Sequence, residues 1–258
     1  MRISWQGLIL CLAAFGPVIL GQSAVAQGYQ NDRQQAAQEQ LFALANQSRA
    51  AQGVGPLRWD QALAAAALQH CRRMAAEGPI SHRYGGEPDL TTRAGQAGAH
   101  FSLIEENIAV GSYPATIHQG WLDSPGHRSN LLNPQVDRVG VAVVAANGVI
   151  YAVADYARAV QVLTPAQVEA TIAAQLRSRG LIILKDPLDA RAYCANGSKE
   201  LSEPGFLMRW QNPDLTQLPQ QLANQLGRGM YRKAAVGSCP PQGVDGAFTT
   251  YRVAVLLY

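Results

Sequence analysis

The chain has 258 residues, a formal net charge of +3 at pH 7 and only 15% charged residues, against about 25% in an average soluble protein. With no clustered Lys/Arg stripe and no interleaved aromatic residues, that composition excludes a nucleic-acid-binding surface. The length suits one large domain or two modest ones.

Arg2, the short apolar run from Leu8 to Leu20 and the small-residue site Ala24-Val25-Ala26 read as a signal peptide over residues 1–26. Gly16 and Pro17 interrupt the run, which is too short for a good membrane span. Leu10 before Cys11 argues against a lipid-modified start. The mature chain, 27–258, is expected to be secreted, extracellular or periplasmic, with no later transmembrane segment.

Gln34 to Gln52 read as a helix with Leu41, Leu44, Ala45 and Ser48 on one side, ended by Gly53 and Gly55-Pro56. A second helix, rich in alanine, starts at the cap Asp60 and runs to Glu77 before Gly78-Pro79. A loop carries His82, and a short helix follows over Asp89 to Ala97. The apolar-flanked segment "SLIEENIAVG" leads to a helix over Pro114 to Leu122 and a helical turn at Pro125. In "RVGVAVVAANGVIYAVADYA" two strand-like runs flank Asn147-Gly148, the strongest short-range hairpin signal. Helices followed by an antiparallel hairpin favour an α+β fold over alternating βαβ units.

The character changes at Leu163-Thr164-Pro165. A capped helix is expected over 165–179, strand-like pieces near 181–184, 190–194 and 205–210, a helix over 214–227, and two final strands in "GMYRKAAVG" and "FTTYRVAVLLY". This is read as a second, smaller α+β domain over 164–258, the alternative being an elaboration packed on the first. No internal repeat is visible in the sequence. After removal of the leader three cysteines remain. Cys194 and Cys239 are the natural disulfide pair of an exported chain, and Cys71 in mid-helix is expected to stay a thiol.

Three ionisable residues stand in unusually punctuated segments: His82 after "GPIS", Glu106 in "EENIAVG" and His127 in "SPGHR". Two imidazoles and a carboxylate could ligate zinc and leave a position open for water. Each also has a plain structural role open to it. Within "WLDSPGHRSNLL", Ser124 can cap a helix that Pro125 begins, which would fix the position of His127.

The ordered set "ALANQSRAAQGVGPLRWDQALAAAALQHCRRMA", "SHRYGG", Arg93, "ENIAVG", "WLDSPGHRSNLL" and "VGVAVVAANGVIYAVADYA" resembles the CAP superfamily (the SCP/PR-1-like domain) in its bacterial secreted form. The resemblance covers residues 36–158 and stops before the C-terminal region. It implies an α-β-α sandwich, the first domain being 27–163, with a cavity lined by His82, Glu106 and His127. Many eukaryotic members carry a second glutamate where this chain has Ser124, which becomes a cavity wall. Glu105 stands where the family often has glycine. Asn107 and Arg128 are read as structural.

The fold expected is therefore α+β: a CAP-type α-β-α sandwich followed by a smaller α+β C-terminal domain. The function expected first is a non-catalytic binding module for a divalent cation such as zinc, weakly bound, a small apolar molecule or an envelope component, with no residue assigned as catalytic. The alternative is an extracellular hydrolase, either metal-dependent or of Ser/His type using Ser124, His127 and Glu106. It lacks a G-x-S-x-G elbow and an H-E-x-x-H helix. A third possibility is an extracellular interaction protein whose C-terminal domain is the adaptor.

Overall fold

The computed structural model describes residues 19–197, 204–240 and 248–258. Most of the expected leader, residues 1–18, lies outside the described residues.

The first helix, α1 (Ile19–Ala51), starts earlier than the apolar spacing predicted. After a two-residue strand β1 (Arg58–Trp59), Asp60 caps α2 (Gln61–Glu77) by accepting from the backbone N–H groups of Ala62 and Leu63. Asp89 caps α3 (Leu90–Gln96) in the same way through Thr92. The "SLIEENIAVG" segment forms a long strand, β2 (Phe101–Gly111). It is followed by α4 (Pro114–Asp123) and α5 (Pro125–Leu132). The hairpin is present as β3 (Arg138–Ala146) and β4 (Val149–Ala159), with positive φ at both Asn147 and Gly148.

These strands form one sheet in the order β1-β3-β4-β2, with β1 parallel to β3 and the other pairs antiparallel. Alternation divides the residues between two faces. Val139, Val141 and Val143 pack with Leu41 of α1 and Trp121 of α4. Ala142, Val153 and Ile108 pack with Ala67, Cys71 and Met74 of α2. The sheet thus lies between helical layers, as the expected sandwich requires. At Gly140 the backbone of α2 comes so close that a Cβ would lie 2.0 Å from the Ala64 nitrogen. Only glycine admits that approach.

Thr164 and Gln167 form a reciprocal capping box at the start of α6 (Pro165–Arg177). Then come β5 (Ile182–Ile183), α7 (Leu188–Asn196), β6 (Phe206–Asn212), α8 (Gln220–Gly227), β7 (Lys233–Cys239) and β8 (Tyr251–Leu257). They build a second sheet in the order β5-β7-β8-β6. Two expectations need correction. Residues 190–194 belong to a helix, because Asp186 accepts from the Leu188 N–H and an alanine-rich turn follows. The helix expected over 214–227 begins only at Gln220. Asn212 and Asp214 first hold side-chain turns onto the N–H groups of Asp214 and Thr216, and Pro219 precedes the helix. Cys194 and Cys239 are bonded, and Cys71 is a free, buried thiol, as expected.

Candidate functional site

Glu106 sits at the middle of β2, on the face turned to α2, and it is buried. Its two carboxylate oxygens have separate partners. His82 Nδ1 lies 2.8 Å from Oε1, and Arg93 of α3 donates from Nη2 to Oε2. Glu106 therefore joins a loop histidine to a fully buried guanidinium.

The His82 side chain remains 58% exposed while the Glu106 side chain is 3% exposed. The carboxylate fixes one ring nitrogen and leaves the other edge toward solvent. Hydrogen bonding to Glu106 raises the His82 pKa above its ordinary value, against the opposing effect of partial burial. His127, half-buried on α5, goes the other way: burial lowers its pKa, and the charge of His82 lowers it further. The two shifts thus run in opposite directions, and the charge of one ring acts on the other.

The position of His127 has a different cause from the one expected. Ser124 stands at the N-cap position of α5, but its side chain makes no capping hydrogen bond. Two asparagines tie α5 to β2 instead. Asn107 Nδ2 donates to the His127 carbonyl at 2.9 Å, and Asn130 Nδ2 donates to Asn107 Oδ1 at 3.0 Å. Asn133 at the helix end donates to Glu105. Asn107 is structural, as expected, and the Ser124 hydroxyl is half-buried and caps no helix.

Sequence reasoning missed three groups around this centre. The first is the role of Arg93, recognised only as part of the motif. The second is a buried His70–Glu87 pair, with His70 Nδ1 2.8 Å from Glu87 and His70 Nε2 2.9 Å from the Ser81 carbonyl. Glu87 also accepts from the Tyr84 N–H, so this pair anchors the loop that carries His82 at both ends. Burial alone would raise the Glu87 pKa, but its bonds from His70 and Tyr84 bring it below the ordinary value. Arg93 Nη1 lies 3.9 Å from Glu87, placing one guanidinium between two carboxylates.

The third is Asp155 on β4, opposite Glu106 in the antiparallel register and fully buried. Neither of its carboxyl oxygens has a hydrogen-bond partner of good geometry among the described residues. Burial and the neighbouring Glu106 charge hold its pKa well above the carboxylate range, outweighing Arg93. Burial and the Glu106 charge thus favour the protonated form of Asp155 in the folded protein. The unfolded chain ionises it above about 3.9, so the folded state binds more protons and this residue's contribution to stability falls as pH rises from there. The slope is at most about 1.4 kcal/mol per pH unit. Asp155→Asn should remove that dependence, with a stability gain over the parent that grows between pH 4 and pH 7 in urea unfolding. A gain that does not change with pH would show Asp155 ionised in the fold.

A sheet between two helical layers is the sandwich that the resemblance to the CAP superfamily implies. Residues 42–156 match the family model described as CAP, cysteine-rich secretory protein family, so the chain contains a domain of that family. Two curated relatives come from Bacillus subtilis (strain 168): uncharacterized membrane protein YlbC, 35% identical over 115 residues, and uncharacterized protein YkwD, 30% identical over 116. The match covers 43% of this chain, and 32% and 44% of those relatives, so the chain spans less than half of each. Among solved structures, an extracellular SCP-domain protein from Bacillus anthracis str. Ames is 30% identical over 56% of this chain and 45% of its own, with a TM-score of 0.48. An outer surface protein from Borrelia burgdorferi is 20% identical over 48% of this chain and 93% of its own, with a TM-score of 0.45. No helix among the described residues is long and apolar enough to cross a membrane.

Proposed function

We propose that this is an exported binding protein whose CAP domain offers two imidazole edges, His82 and His127, to a polar or cationic ligand. The observation that carries this reading is the exposed His82 held by a buried carboxylate. Such a pairing orients a ring and raises its basicity as a ligand, the arrangement found behind metal-binding histidines. The cation itself fits only in part. Both oxygens of Glu106 are engaged by His82 and Arg93, so Glu106 positions a ligand rather than being one. Among the described residues no group of three His, Cys, Asp or Glu side chains is arranged to hold a metal. Two histidines with water completing the shell would hold a divalent cation such as zinc weakly, well short of a closed structural site. The half-buried Ser124 hydroxyl would face the same ligand. As a hydrolase the site is less well equipped, because no hydrogen bond joins Ser124 to His127 as nucleophile and base.

Zinc titration of the mature chain by calorimetry should give a saturable heat that is absent from the His82→Ala/His127→Ala double variant. Both rings must be neutral to bind metal. Since Glu106 raises the His82 pKa, affinity should begin to fall at a pH above 6.5, by up to about tenfold per unit. Equal heats for the two proteins, or binding undiminished at pH 5, would remove the cation from the proposal.

A further inference from the structure

The two sheets are built alike. Each begins with a helix on one face, α1 or α6, and a two-residue strand, β1 or β5, parallel to the third strand of its sheet. A helix then crosses to the opposite face, α2 or α7, and an edge strand follows, β2 or β6. A helix returns to the first face, α4 or α8, and an antiparallel hairpin closes the sheet. The strand orders, β1-β3-β4-β2 and β5-β7-β8-β6, coincide position for position. The layers coincide as well: Val168, Ile172 and Leu222 pack on one face of the second sheet, and Ala190 and Cys194 on the other.

One detail goes beyond topology. In the first sheet Gly140 of β3 lies against the α2 backbone and pairs with Asp155, which pairs with Glu106. In the second, Gly237 of β7 lies against the α7 backbone, where a Cβ would be 2.3 Å from the Ala190 carbonyl carbon, and it pairs with Ala254, which pairs with Arg209. Two sheets that merely shared a strand order would have no reason to place a helix backbone against a glycine in the same row.

We infer that residues 165–257 are a second, reduced copy of the CAP-type fold from which the binding site has been removed. Its row reads Gly237–Ala254–Arg209 where the first reads Gly140–Asp155–Glu106. Arg209 puts a cation where Glu106 stands and lies across the end of α7, its guanidinium 2.7 Å from where a Cβ on Gly197 would be. Counterparts of α3 and α5, the helices that carry Arg93 and His127, are absent among the described residues. No histidine occurs after His127 anywhere in the chain. The protein is thus a tandem of one ligand-holding unit and one without a cation site, each with its own two-faced core.

Amide hydrogen exchange on the full chain tests the copy. Gly237→Ala should raise exchange in 188–196 at least tenfold while 61–77 keeps its protection, and Gly140→Ala should do the reverse. Loosening of both segments by either variant would show one cooperative body with an extension, and would overturn the inference. The missing site rests on the cation proposal and has its own measurement. Zinc should bind at one equivalent per chain, unchanged by Arg209→Ala. Two equivalents, or a site lost in Arg209→Ala, would refute a site-less second unit. If no zinc binds at all, only the cation proposal falls, and the exchange result still decides whether the copy exists.

Discussion

Replacing Arg93 with alanine should cost the protein about 3–5 kcal/mol, the usual range for breaking a buried ion pair by removing one partner. Arg93 is fully buried, donates to Glu106 and lies within ion-pair reach of Glu87. Without it, Glu106 loses its buried guanidinium partner and Glu87 loses a positive charge 3.9 Å away. The loss is a desolvation effect, so it should shrink when the orphaned charge is removed too. Arg93→Ala/Glu106→Gln is expected to be more stable than Arg93→Ala alone. Arg128→Ala, on the exposed face of α5, should change stability by no more than about 0.5 kcal/mol. Urea midpoints at pH 7 compare the three. If Arg93→Ala matched the surface control, the guanidinium would not be supporting the site.

Local signals carried much of the first sheet. Asp60 caps the helix it was expected to cap, the short helix expected from Asp89 is present with that residue as its cap, and Asn147-Gly148 turns the hairpin. These features depend on neighbours in sequence, so one chain is enough to read them. The pairing of His82 with Glu106 was suspected from a family resemblance and could not come from spacing, because it joins a loop to a strand 24 residues away. Asp155 left a readable trace: an acid in a strand of small apolar residues, on the face that Val153 and Ala157 also occupy. Ser124 shows the opposite error. Its residue type and its place before Pro125 favour capping, yet α5 is held through Asn107 of β2, which bonds the His127 carbonyl and the helix's own Asn130. In the C-terminal unit the short alternations were ambiguous between strand and helix. Contacts across the sheet decided for α7, whose Ala190 is small enough to lie on Gly237. The internal repeat was invisible for the same reason, since topology and one glycine were kept while the side chains diverged.

Removing the Cys194–Cys239 bond should destabilise the C-terminal unit by about 4 kcal/mol, the loop-closure entropy released to the unfolded chain by a crosslink across 45 residues. The bond ties α7 to β7 on the face of the second sheet where the apolar core is thin: among the described residues that face buries Ala190, Ala235, Ala254 and Leu256 beside the cystine. The opposite face has a larger core built from α6, α8 and the two hairpin strands, so the sheet itself should survive and α7 should loosen first. Cys194→Ala/Cys239→Ala is the cleaner comparison, because it leaves no buried hydroxyl behind. Its denaturant profile should show the second unit unfolding earlier while protection of α2 and β2 in the first unit stays at the parent level. Reduction of the parent protein should have the same effect and should not be reversed through Cys71. That thiol is buried under the first sheet, and burial pushes its pKa up to about 12, so little thiolate is present to attack a disulfide. A mixed bridge containing Cys71 after reoxidation, or equal loss of protection in both units, would show that the two halves do not hold their structure separately.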